Sequence, residues 1–134
     1  MVNQQLYAEI QMLAQQAKQV KGHLENIDSQ IEDLKRTHIS LKEFGELKED
    51  SIMLSQISNG IFVKSELKDT KNVVLNVGAE VGVDKTVQEA QSLVEKQLKD
   101  TNEVRDHFIS QFNSLKRRIE EIQNQLEKKD SVKN

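Results

Sequence analysis

The chain has no cysteine, no proline and no tryptophan, and only 4% of its residues are aromatic. Without cysteine there is neither a disulfide framework nor a thiolate metal site. Without proline the strongest helix breaker is missing, and long helical segments run uninterrupted. No apolar run exceeds three residues, which excludes a helical membrane span and the apolar core of a secretory signal. A soluble, cytoplasmic protein is the expectation. Positive charge is not in excess either: the net charge is -3 and the pI about 5.7. Nothing therefore draws the whole surface to phosphate backbones or anionic lipid, and neither nucleic acid nor membrane is an expected partner.

Charge and periodicity are abundant instead. Charged residues make up 31% of the chain and hydrophobic ones 36%, so little of its 134 residues is deeply buried. One elongated domain, 1–134, is expected rather than a globule. In its first part Leu6, Ile10, Leu13, Ala17, Val20, Leu24, Ile27, Ile31, Leu34, His38 and Leu41 follow each other at alternating steps of four and three. That spacing is a coiled-coil seam. The last part repeats it through Val94, Leu98, Thr101, Arg105, Phe108, Phe112, Leu115, Ile119, Ile122 and Leu126. A first helix over 1–45 is expected to end where Gly45 takes a left-handed conformation. A second is expected over 86–129, opened by a capping box of Thr86 and Glu89. At 1.5 Å per residue each arm is roughly 60 Å long. Arms of equal length about a compact centre predict an antiparallel pair within one chain, because each seam then buries the other.

Between the arms the period falls to two. Segments 52–57 and 61–67 flank Ser58-Asn59-Gly60, where Asn-Gly supplies the positive φ angles of a tight hairpin turn. Val73, Leu75 and Val77 alternate onto one face, Gly78 and Ala79 suit a second turn, and Val81 and Val83 resume the pattern. Two isolated hairpins cannot cover both faces or close their own edges. Region 52–83 is accordingly the expected assembly region, with Ile57, Ile61, Val63, Leu67, Val73, Leu75 and Val77 as its subunit contacts. The expected fold class is α+β: a long antiparallel helical coiled coil joined by two central β-hairpins that need other subunits to complete their sheet.

The candidate chemical residues read more simply as structure. His23, His38 and His107 are scattered without ligand spacing, so no metal is expected. His38 is a polar seam position that sets register. Gly78-Ala79-Glu80-Val81-Gly82 has neither the GxGxxG order nor a following Lys-Ser/Thr and suits a hairpin, not a phosphate cradle. Lys116-Arg117-Arg118 is followed by Glu120, Glu121 and Glu127, as on a solvated coil face. No Ser-His-Asp or paired-carboxylate arrangement stands out, and neither catalytic residues nor cofactors are expected.

The distal end of the arms carries the functional signal. Residues 1–22 contain only Glu9, Lys18 and Lys21 as charges, amid many glutamines. In an antiparallel pair Leu6, Tyr7, Ile10, Met12 and Leu13 face the region of Ile119, Ile122, Leu126 and Val132. Ordinary seam packing accounts for each of them singly. Together they sit where helix ends fray at small cost, so the seam can open and expose apolar side chains as a candidate binding surface, and the flexible Met12 suits contact with varied sequences.

The chain resembles the prefoldin alpha-subunit family. The resemblance spans nearly its whole length, and its distinctive residues are Asn59-Gly60-Ile61-Phe62-Val63-Lys64, Asn76-Val77-Gly78-Ala79 and the helix start from Thr86 to Ala90. Two hairpins mark the alpha type; the beta type has one. Gln56 and Ser58 stand where the family often has proline and glycine, and Glu80 where glycine is common. The resemblance implies a hexamer of two alpha and four beta subunits, with hairpins joined into β-barrels. Its arms would hold unfolded clients for a group II chaperonin. An ATP-independent holdase subunit is thus the first expectation. A structural homo-oligomer or filament and a coiled-coil tether or nucleic-acid adaptor are the alternatives, and the paired hairpins argue against the last.

Overall fold

The computed structural model describes residues 2–132, with side chains through Lys129. Helix α1 runs over Val2–Glu46, followed by strands β1 (Ile52–Ser58), β2 (Ile61–Glu66), β3 (Asn72–Asn76) and β4 (Gly82–Thr86), and then helix α2 over Val87–Val132. Every expected seam position on α1 and α2 is buried or half-buried, whereas most of the intervening positions are exposed. A heptad seam of this kind is what holds long helices together, since propensity alone does not. The chain divides into two compact units, one of residues 1–32 with 100–134 and the other of residues 33–99.

In the first unit the helices run antiparallel. As residue numbers rise on α1 they fall on α2. Arg118 donates to Glu9 at 3.2 Å, His23 stacks on Phe108 with ring centroids 5.4 Å apart, and Arg105 donates to Asp28 at 2.6 Å. Leu13, Ile122 and Leu126 form the core, with Leu6, Ile10, Leu115 and Ile119 packed against it.

The second unit holds the C-terminal part of α1, both hairpins and the start of α2. His38 lies 3.0 Å from Glu95, and Val87, Ala90 and Val94 are buried. Gly45 is not the left-handed terminator expected from sequence. It remains helical, and a Cβ added to it would lie 3.4 Å from Val87 Cγ1, so its small size serves close packing. The left-handed residue is Asp50, at φ 67°. Thr86 caps α2, its Oγ1 accepting from the Glu89 amide at 3.0 Å. Only this half of the expected capping box forms. Thr86 is still the last residue of β4, and the Glu89 carboxylate turns to Lys85 at 3.7 Å.

Each hairpin is a separate two-stranded antiparallel sheet. In the first, Ile52 opposes Glu66, Leu54 opposes Lys64 and Gln56 opposes Phe62, after which Ser58 opposes Ile61. Ile57 is therefore the extra residue of a β-bulge. In the second, Val73 opposes Lys85 and Leu75 opposes Val83. The link between them is tied by Asp69, whose carboxylate accepts from the amides of Lys71 and Asn72 and from Asn72 Nδ2 at 2.9–3.1 Å.

Candidate functional site

Opposed residues of an antiparallel pair share a face, so one face of the β1–β2 hairpin carries Ile52, Leu54 and Phe62, and the other carries Met53, Val63 and two serines. Neither is covered. Ile52 is 73% exposed, Leu54 66%, Phe62 54% and Val63 42%. On the second face Ser55 and Ser65 satisfy each other at 2.7 Å. Of the residues expected to make subunit contacts, Ile57, Ile61, Val63 and Val77 are exposed, while Leu67, Val73 and Leu75 are half-buried. Leu67 lies just beyond β2, yet extends the ladder by exchanging backbone bonds with Asp50 and Ser51. Val73 lines a concavity with Leu41 and Phe44 of the chain's own α1. Ile52, Leu54, Phe62 and Val74 are further exposed apolar residues, outside the expected contact set. Two-residue alternation shows which side chains share a face but not which face lies open.

The two turns differ. At Asn59-Gly60 only Gly60 has a positive φ, 80°, which corrects the expectation that both residues would be left-handed. The bulge at Ile57 changes how the strand enters that turn. The second turn carries the left-handed pair instead, on Ala79 (φ 51°) and Glu80 (φ 60°). Val81 donates to the Gly78 carbonyl at 3.0 Å across it, and Asn76 Oδ1 accepts from Gly78 N at 3.0 Å. Glycine would occupy such positions without the Cβ penalty. At Gly82 a Cβ would fall 2.7 Å from Val74 Cγ1, so β4 must begin with a residue that has no side chain.

At the other candidate surface, the ends of α1 and α2, the expected client-binding residues fall into three states. Tyr7 and Met12 are exposed at 54% and 55%. Leu6, Ile10 and Ile119 are half-buried. Leu13, Ile122 and Leu126 are buried, Ile122 completely. Contact with a client at these last three requires the seam to open. The side chain of Val132 lies outside the described residues. Glu9, and then Glu121, hold the Arg118 guanidinium still more firmly protonated than usual, so this member of the basic cluster is committed within the coil. Lys116 and Arg117 are not ion-paired among the described residues. His23 and His107 both lie against Phe108. No group of three metal-ligating side chains occurs among the described residues, and no helix is long and apolar enough to cross a membrane.

Comparison with known proteins places these features in a wider set. A family model described as Prefoldin subunit matches residues 6–131. Similar proteins include the prefoldin subunit alpha of Methanococcus aeolicus, 26% identical over 126 residues that make up 94% of this chain and 85% of the relative. That of Pyrococcus horikoshii is 29% identical over 122 residues, 89% of this chain and 81% of the relative. Among solved structures, a filamentous PFD from Methanocaldococcus jannaschii superposes with a TM-score of 0.78 over 89% of this chain and 98% of that one, at 18% identity. At that identity the likeness is one of fold.

Proposed function

Because the chain belongs to the prefoldin subunit family and is a chaperone-type subunit that assembles with other prefoldin subunits, we propose that it is the alpha subunit of an ATP-independent holdase. In this reading residues 1–134 act as a single domain. The hairpins of region 52–83 join those of beta subunits in a hexamer of two alpha and four beta chains. The arm ends, through Leu6, Tyr7, Ile10, Met12, Leu13, Ile119, Ile122 and Leu126, hold non-native proteins and pass them to a group II chaperonin. Weak contacts at several arm ends add up to useful affinity through multivalency.

The observation that supports assembly most strongly is the exposure of apolar side chains on both faces of β1–β2. A two-stranded hairpin is marginal in water, and contiguous exposed apolar surface of this kind marks an interaction site. The test is the mass of the complex by light scattering when Val63 or Leu75 is replaced by Asp. A charge left unpaired in a buried interface costs several kcal/mol, so the complex should dissociate while the helices persist. Wild-type mass in both variants would refute assembly through the hairpins.

The likeness to a filamentous PFD favours a second reading, in which the same hairpins join copies of this chain into a homo-oligomer or filament. Light scattering of the chain alone and then with a beta-type subunit separates the two. Growth of large species without the second chain supports the filament, and a defined mass reached only with it supports the mixed hexamer.

A further inference from the structure

The chemistry of one backbone turn goes beyond its role in folding. Asn59-Gly60 is the sole Asn-Gly pair in the sequence, and it stands exposed at the end of the β1–β2 hairpin. Asparagine followed by glycine is the pair most prone to spontaneous cyclisation, because no side chain hinders the attacking amide. Both reacting groups are free here. Among the described residues the Gly60 amide donates no hydrogen bond and the Asn59 side chain makes none. A Cβ built on Gly60 would meet nothing within 4 Å, so the site has open space for the ring. Asn72, Asn76 and Asn113 are restrained. Asn76 Oδ1 is held by the Gly78 amide, Asn72 Nδ2 is held by Asp69, and Asn113 lies within α2, where the following amide belongs to the helical ladder.

We propose that Asn59 is a site of spontaneous deamidation, and that the carboxylate formed there loosens subunit assembly as the chain ages. The backbone nitrogen of Gly60, on losing its proton, attacks Asn59 Cγ. A Cγ–N bond forms, the Cγ–Nδ2 bond breaks and ammonia departs with the proton, leaving a cyclic succinimide. Water then opens the ring at one carbonyl or the other, giving aspartate or isoaspartate. The net change is the exchange of ammonia for water, with no oxidation or reduction. Either product places a negative charge next to Ile57 and Ile61, which are 66% and 57% exposed. Isoaspartate also lengthens the backbone by one carbon, which disturbs the pairing of Ser58 with Ile61. The effect on assembly rests on the reading of the hairpins as the subunit interface; the chemistry at Asn59 does not.

The experiment ages the full-length chain at mildly alkaline pH, maps isoaspartate by peptide mass spectrometry and follows the mass of the complex by light scattering. Isoaspartate should accumulate at Asn59 several-fold faster than at Asn76 or Asn113. Asn59→Gln, whose longer side chain closes the ring far more slowly, should abolish the signal and preserve assembly on ageing. Fresh Asn59→Asp should shift the complex to lower mass at equal concentration. Modification at Asn59 no faster than at Asn113 would overturn the site. If Val63→Asp dissociates the complex while Asn59→Asp and aged wild type assemble like Asn59→Gln, the coupling to assembly is overturned. If Val63→Asp itself leaves the mass unchanged, assembly through the hairpins fails and the coupling with it, whereas rapid isoaspartate formation would still establish the site.

Discussion

His38 Nε2 lies 3.0 Å from Glu95 Oε1, joining a polar seam position of α1 to a residue at the edge of the α2 seam. A polar residue in a coiled-coil seam fixes register at a cost in stability. Replacing His38 by Leu should therefore raise the urea midpoint, by an amount equivalent to about 1 kcal/mol, because leucine packs the seam without a polar atom to satisfy. The same change should broaden the set of registers, seen as additional disulfide products in a cysteine scan across the two helices. A lowered midpoint would mean that the contact with Glu95 outweighs the packing gain.

Register has a direct test in the first unit, where Leu13 shares a cluster with Ile119 and Ile122. Cysteines at 13 and at 119 or 122 should crosslink within one chain. Predominantly intermolecular products across 112–126 would contradict the antiparallel pair.

Within that cluster, burial sets the scale of damage. Ile122 is fully buried, so Ile122→Ala should cost about 2–5 kcal/mol in chemical denaturation followed by circular dichroism. Tyr7→Ala, at a position 54% exposed, should stay within about 0.5 kcal/mol. Equal losses would mean that the arm end packs against something further.

The second hairpin turn should respond in opposite directions to two glycine exchanges. Glu80 sits at φ 60°, and Glu80→Gly should stabilise by about 1 kcal/mol through relief of left-handed strain. Gly82→Ala should destabilise by about 1–3 kcal/mol, since its Cβ would meet Val74 Cγ1 at 2.7 Å. Thermal melting of the two variants reads both signs.

Acid should loosen the link between hairpins. The Asp69 carboxylate is held below its usual pKa first by the Lys71 amide, then by the Asn72 side chain and amide. A depressed folded pKa contributes stability that is complete above the unfolded value near 3.8 and is lost as pH falls through the folded one. An NMR titration should find Asp69 below the unperturbed carboxylates. A midpoint at or above theirs would show that the turn does not hold in solution.

The seams were legible in sequence, residue by residue, because apolar residues at steps of three and four mark one face of a helix for burial. His38 and Arg105 were legible as seam positions for the same reason, since the period places them irrespective of polarity. The hairpins were legible as elements from two-residue alternation and Asn-Gly. Their details were not. Ala79 and Glu80 give no composition signal for left-handed backbone, and the bulge at Ile57 is a matter of pairing between strands. Gly45 matched a helix terminator, but contact with Val87, 42 positions on in the sequence, decided its conformation. Ile52, Leu54 and Phe62 escaped notice as surface residues because their exposure follows from what does not pack on them.

If the hairpins assemble and the arm ends bind, truncation of the arms separates the two. The most direct test compares complexes truncated at 1–9 and 123–134 in the alpha subunit, at the equivalent arm ends in the beta subunits, and in both, measuring mass by light scattering and aggregation of a denatured client by turbidity. Mass should stay unchanged throughout, while protection falls modestly when alpha alone is truncated, since intact beta arms compensate, and is abolished when all arms are cut. Undiminished protection after truncation of every arm, with the complex intact, would contradict binding at the arm ends.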